Sequence, residues 1–161
     1  MKRLAFAVAA CLTAGVACAS NWGFIGIKAG LDTSFWMNVD NRRSEGSDAY
    51  VWMANVSSEH GVPYDVLIGY YHADCKKRTF TQIEANAYLN GNVLYSEKRG
   101  DTYKVEGENS ITRLIVNSMC TGKTPDNIVV PFADARDMAR IGLKLHQNLK
   151  DSEKQKRGKP F

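Results

Sequence analysis

The chain has 161 residues, 44% of them hydrophobic and 24% charged, with a formal net charge of +4. This is an ordinary globular composition, long enough to build one domain with a real core. Charges so nearly balanced exclude the strongly basic signature of a nucleic-acid binder.

The first nineteen residues, MKRLAFAVAACLTAGVACA, put Lys2 and Arg3 ahead of an apolar run from Leu4 to Val16, with small residues at Ala17 and Ala19. Read in order, they form an export signal. The run is too short to span a bilayer as a mature helix, and Ala17-Cys18-Ala19 fits the A-x-A cleavage pattern, which makes Ser20 the first mature residue. The competing reading acylates Cys18, but Gly15 stands where lipoprotein signals want a Leu-like residue. Cleavage after Ala19 discards Cys11 and Cys18 together with two cations, leaving 142 residues of net charge +2. No later apolar stretch approaches membrane length. Two cysteines then remain, Cys75 and Cys120, and in an oxidising compartment a pair is expected to form one disulfide.

From Trp22 to Tyr103 the patterns are those of short strands. WGFIGIKA and LDTSFWMNVD are rich in β-branched and aromatic residues and precede a charged, turn-forming loop, NRRSEGSD. AYVWMANVS alternates Tyr50, Trp52, Ala54 and Val56 against Val51, Met53 and Asn55. YDVLIGYYHADC is a longer strand after the Pro63 turn. TFTQIEANAYL alternates most cleanly, with Thr81, Ile83, Ala85, Ala87 and Leu89 expected on one face and Phe80, Gln82, Glu84, Asn86 and Tyr88 on the other. Asn90-Gly91 is a hairpin signal leading into NVLYSEK, and Arg99-Gly100-Asp101 turns into TYKV.

At Ser110 the period changes. Ser110 is a good N-cap, apolar residues recur through Met119, and Gly122 stands where a helix closing on Cys120 must end. Only Arg113 and Asn117 are firmly polar, so this helix is expected to lie against the sheet. After Pro125 and Pro131, ADARDMARIGLKLHQNLK shows a second helical stripe at Met138, Ile141, Leu145 and Leu149, with Arg136, Arg140 and Lys144 spaced four apart. The remainder, DSEKQKRGKPF, is charged, lacks a core-forming pattern and is expected to be a mobile tail.

The stretch YYHADCKKR gathers His72, Asp74 and Cys75, side chains from which catalytic and metal sites are built. On a strand, however, side chains alternate and advance about 3.3 Å per residue. His72 and Asp74 then share a face while Cys75 points through the other, about 10 Å from His72 and beyond the reach of a Cys-His pair. His60 falls in a turn and His146 on the second helix, so neither completes a catalytic set. His72 and Asp74 supply two metal ligands with no second cluster to add the rest. Neither a catalytic residue, a metal nor a cofactor is expected. Cys75 closes a strand and Cys120 ends the helix, so their bridge would staple helix to sheet, worth about 4 kcal/mol in the chain-entropy model. Arg99, Gly100 and Asp101 spell an integrin-recognition tripeptide, a weak binding candidate in a position where a plain turn suffices. Asn55 heads an NVS glycosylation acceptor, which a strand position disfavours.

The order of these features carries a resemblance. Trp22 opens a strand, Val51-Trp52 follows, Asp74-Cys75 leads basic residues, Tyr88 precedes Gly91, and Ser110 leads a helix ending VNSMC. Residues 22 to 120 thus resemble the bacterial surface-adhesin E-like domain. The resemblance implies an α+β fold, an antiparallel sheet of about six strands with a helix held to one face by the Cys75–Cys120 bridge. To this the chain adds a C-terminal helical extension over 125–161. Two departures from the pattern are Tyr103 in place of a Trp and the lack of a Pro before Ser110. The family's members are exported, often as lipoproteins, and its name reflects binding to host extracellular-matrix and plasma proteins.

The resulting expectation is a non-enzymatic exported binding protein of the bacterial periplasm or cell surface. Its partner would be another protein, with an extracellular-matrix protein as the leading class, and a homodimer is open to it through a free sheet edge. The alternative is a periplasmic structural or regulatory factor, such as an inhibitor of an envelope hydrolase.

Overall fold

The computed structural model describes residues 19–28, 30, 32–98, 100–105, 107 and 110–157. The expected export signal, apart from Ala19, and Arg99 of the tripeptide lie outside the described residues. In chain order the elements are β1 (Ser20–Ile27), β2 (Thr33–Asn38), β3 (Arg43–Glu45), β4 (Asp48–Ser57), β5 (Val66–Asp74), β6 (Thr79–Leu89), β7 (Asn92–Lys98), β8 (Thr102–Lys104), α1 (Ile111–Thr121), β9 (Val129–Phe132) and α2 (Ala135–Arg157). The strands form one sheet of order β7-β6-β5-β4-β2-β1-β9, with β3 added to β4 and β8 to β6. Every pairing is antiparallel.

The α+β architecture and the bridge agree with expectation, but the described residues hold nine strands rather than about six. The additions are short: β3 has no hydrophobic pattern, and β9, which turns Val130 and Phe132 inward, is only four residues long. β3 is three exposed residues, Arg43, Ser44 and Glu45, recruited by backbone pairing to β4. β9 pairs with β1 through a segment holding Pro131, which a sheet tolerates at its edge. Both follow from an available neighbouring strand, which sequence periodicity does not report.

Alternation along the central strands makes both faces apolar, and each helix covers one. On one face Ile115, Val116 and Met119 of α1 pack with Ile25, Met37, Val51, Met53, Tyr71 and Ala73. On the other, Met138 and Ala139 of α2 pack with Trp22, Trp36, Ala54, Val56, Val66 and Phe132. Even-numbered β4 residues therefore serve α2 and odd-numbered ones α1, as a period of two requires. α1 begins and ends where its signals lie: the Ser110 hydroxyl accepts from the Arg113 N–H, and Gly122 adopts a left-handed φ of 73° while donating to Ser118. Asp134 caps α2 by accepting the Asp137 N–H at 2.8 Å.

The C-terminal segment differs from expectation. Helix α2 continues through 151–157, where a mobile tail was predicted. Lys, Glu, Gln and Arg are strong helix formers, and an established helix propagates through them without a buried face. The side chains of 151–155 are exposed, in keeping with their lack of a core pattern.

Candidate functional site

Helix α1 covers β1, β2, β4 and the end of β5, and leaves the same face of β5, β6 and β7 uncovered. There the sheet forms a cleft of about 300 Å³. Six aromatic side chains line it: Phe35, Tyr64, Tyr71, Phe80, Tyr95 and Tyr103. Its polar lining is Asn55, Gln82 and Glu97. Met53, Leu67 and Ile115 complete the lining, and a hollow of aromatic and aliphatic side chains with a few placed polar groups is the usual composition of a ligand site.

Two β-bulges decide who lines it. Tyr70 pairs with Glu84 and Tyr71 with Gln82, which leaves Ile83 as an extra residue on β6. Ala87 pairs with Tyr95 and Tyr88 with Val93, which leaves Leu94 extra on β7. Each bulge inverts the alternation beyond it. Gln82 and Phe80 consequently join Ala85 and Ala87 on the cleft side, whereas the sequence pattern placed them on opposite faces. Ile83, expected on one face with Ala85 and Ala87, is 37% exposed while those two are buried. On β7 the second bulge sets Tyr95 and Glu97 opposite Ala87 and Ala85, on the cleft side.

The base of the cleft is a short hydrogen-bond chain. The Tyr71 hydroxyl donates to Gln82 Oε1 at 2.8 Å, and Gln82 Nε2 donates to Glu97 Oε1 at 3.1 Å. Gln82 is only 5% exposed, so this pairing offsets the cost of burying its amide. Gly69 makes room for the arrangement: a Cβ there would lie 2.8 Å from Tyr71 Cε2 and 3.0 Å from the Glu84 carbonyl oxygen. The rings form two groups. Tyr64 and Tyr95 meet edge to face with centroids 6.5 Å apart, and Phe80 lies between Tyr71 at 6.0 Å and Tyr103 at 5.1 Å. Tyr95 and Tyr103 remain 37% and 40% exposed, as rims accessible to a partner.

A second cavity, of about 470 Å³, is lined by Lys77, Arg78, Lys104 and Arg113 with Val105 and Gly107. Tyr103 and Lys104, neighbours on β8, thus serve an aromatic cleft and a basic one.

The residues singled out in the sequence lie elsewhere. Cys75 and Cys120 are disulfide-bonded with Cα atoms 5.8 Å apart, so Cys75 offers no thiolate. Arg42 reinforces that corner, its Nε donating to the Met119 carbonyl at 2.6 Å. Asp74 binds the Lys77 backbone N–H at 2.8 Å, and that bond, followed by the one from the Lys77 ammonium, holds its carboxyl below the usual range. His72 gains a partner that sequence reasoning did not supply: its Nε2 lies 2.6 Å from Asp48 Oδ1, across the β4–β5 ladder, while its ring stacks on Tyr50 at 4.8 Å. Gly100 and Asp101 form the β7–β8 connection, where the Asp101 carbonyl accepts the Gln82 N–H at 3.2 Å. His146, on α2, is 2% exposed, its Nδ1 3.3 Å from the Ser58 hydroxyl. Among the described residues, no group of three or more His, Cys, Asp or Glu side chains could hold a metal ion. No described helix is long and apolar enough to cross a membrane.

The cleft is not legible in the sequence because its members come from six strands, a loop and α1, and the bulges bring those of β6 and β7 to the same side. The one available signal was the density of Tyr around the β6–β8 hairpins. Compared with protein-family models, curated proteins and solved structures, the chain matches none.

Proposed function

We propose that this chain is an exported binding protein that holds another protein through the aromatic cleft and the adjoining β7 edge. The observation that carries the reading is the cleft itself: exposed Tyr95 and Tyr103 rims over a base in which buried Tyr71 and Gln82 are hydrogen-bonded on to half-buried Glu97. Tyrosine supplies large contact area with little rotamer entropy to lose, which suits recognition. Beside it, β7 presents Val93 at 60% and Leu94 at 46% exposure, an edge able to accept a further strand. The Cys75–Cys120 bridge suits an oxidising compartment, and the N-terminal pattern supplies the route there. The resemblance of residues 22 to 120 to the surface-adhesin E-like domain adds the class of partner, host matrix or plasma proteins.

A second reading, a periplasmic regulator of an envelope hydrolase, is favoured by the Ala17-Cys18-Ala19 pattern, since a cleaved chain keeps no lipid anchor. Two measurements separate them. Immobilised residues 20–161 should capture a matrix or plasma protein at micromolar concentration, and protease added to intact cells should digest the protein. Protection in intact cells, with no capture, discards the adhesin reading in favour of the periplasmic one.

A further inference from the structure

We infer that the cleft takes a large uncharged side chain of an extended peptide segment, and that Asn55 recognises the backbone N–H and C=O of the residue that carries it. The inference rests on the cleft being the binding site and adds the chemistry of what enters it. One row of paired residues carries the argument. Phe35 of β2 lies opposite Asn55 of β4, Asn55 opposite Leu67 of β5, Leu67 opposite Ala87 of β6, and Ala87 opposite Tyr95 of β7. Residues directly opposite in an antiparallel sheet share a face, so the row runs along the cleft side of five strands, with Asn55 its one amide among apolar and aromatic groups.

Asparagine is depleted in strands, yet here it stands half-buried in a central one. Its neighbours on that face, Phe35, Leu67 and Met53, have no group to bond it, and its carboxamide makes no hydrogen bond among the described residues. Gln82, the other amide of the lining, differs: its oxygen accepts from the Tyr71 hydroxyl and its nitrogen donates to Glu97. Gln82 therefore completes the protein, whereas Asn55 keeps an acceptor and two donors for what enters. A wholly apolar ligand would strip water from that carboxamide and return no hydrogen bond. An extended residue turns its N–H and C=O to the same side of the backbone, which answers the acceptor and a donor of one carboxamide together, while its side chain stands off toward the sheet face. The hollow for that side chain is walled by Phe35, Leu67, Tyr95 and Ile115. Its volume, about 300 Å³, is at the small end of ligand pockets, suited to one large side chain rather than a folded element.

The test titrates the oxidised protein, residues 20–161, by NMR with N-acetyl-phenylalanine N-methylamide, with O-acetyl-3-phenyllactic acid N-methylamide, in which an oxygen replaces the central N–H, and with unblocked phenylalanine. The expected result is saturable binding of the blocked amide about fivefold tighter than the ester, the worth of one neutral hydrogen bond, with shifts centred on Asn55, Leu67 and Tyr95. Unblocked phenylalanine, charged at both ends, should bind more weakly than either. Asn55→Leu should erase the preference, so that amide and ester bind alike, while the circular dichroism and the urea midpoint do not fall, because the carboxamide has no partner in the protein to lose. The ratio of the two affinities is the decisive readout, since a merely structural Asn55 would change both ligands equally. An ester that binds the natural protein as tightly as the amide, a preference that persists in Asn55→Leu, or no saturable binding of the amide overturns the inference. Capture of a matrix or plasma protein undiminished by Asn55→Leu would overturn it while leaving the binding-protein reading standing. The expected amide preference without capture of any protein would support it and remove that reading.

Discussion

Gly142 of α2 rests directly on Val56 of β4: a Cβ built on Gly142 would lie 2.7 Å from Val56 Cγ1 and 2.9 Å from its Cβ and Cγ2. The helix reaches the sheet at this point because one residue lacks a side chain and its partner, fully buried, cannot move aside. A glycine inside a helix costs about 1 kcal/mol relative to alanine, so the close approach is bought with local helix stability.

Gly142→Ala should therefore destabilise the protein although alanine is the better helix former. Overpacking of this kind costs about 1–3 kcal/mol, which exceeds the propensity gain at its upper end. The urea midpoint of the variant should fall, and Val56→Ala in the same chain should restore part of the loss by vacating the space. A midpoint that rises in the single variant would mean that α2 does not approach β4 this closely.

Reducing the Cys75–Cys120 bridge should lower stability without removing the helix. The bridge closes a loop of 45 residues, worth about 4 kcal/mol in the unfolded chain. Arg42 still holds the α1 terminus through the Met119 and Cys120 carbonyls, and the apolar face of α1 stays buried. Protein treated with reductant should keep its far-ultraviolet spectrum in buffer and unfold at a clearly lower urea concentration. Equal midpoints for oxidised and reduced protein would refute the stapling role.

Acid should weaken the docking of α2 through His146. Burial lowers the pKa of its imidazole below 6.5, the nearby Lys150 ammonium lowers it further, and Asp32 partly offsets both. Its Nε2 has no hydrogen-bond partner among the described residues, so a proton added there finds no acceptor. In this depressed-pKa case the unfolded chain takes up the proton first. The stabilising contribution is present above the unfolded value of 6.5 and is lost as pH falls from there toward the folded pKa. Stability should decline as pH falls through and below 6.5, and His146→Leu should flatten that part of the profile. The Asp32 carboxyl, held below 3.8 chiefly by its bond to Lys150, loses its contribution only at lower pH. A profile identical in the His146→Leu variant would exclude the histidine as the cause.

Removing the acceptor at the base of the cleft should cost more than a surface change. Gln82→Leu deletes the bond from the Tyr71 hydroxyl and the one to Glu97, a loss of about 1–3 kcal/mol where a buried polar group loses its partner. Exposed Ile83→Thr, one residue away, should change stability by less than about 0.5 kcal/mol. Comparable losses from both would contradict the placement of the bulge at Ile83.

Local chemistry settled much of this protein before any tertiary contact. A serine with a free hydroxyl ahead of an apolar run started α1, and a glycine able to take φ 73° ended it. Period-two alternation in β4 committed Tyr50, Trp52 and Ala54 to one side of the sheet and Val51 and Met53 to the other. Cys75 and Cys120 found each other because one follows the end of a strand and the other lies near the end of a helix packed on the sheet. What the chain could not express locally is where alternation breaks. TFTQIEANAYL alternates without fault, yet Ile83 bulges, because the partner strand β5 pairs Tyr71 with Gln82 and skips it. That choice belongs to the pairing of two strands, as does the pairing of His72 with Asp48 across twenty-four residues of sequence. The same holds for the extra strands: β3 has only an adjacent backbone with groups to satisfy, and β9 adds to that pairing the burial of Phe132. Periodicity therefore decided which residues are strands and helices, and inter-strand register decided that Gln82, Tyr95 and Glu97 share one cleft.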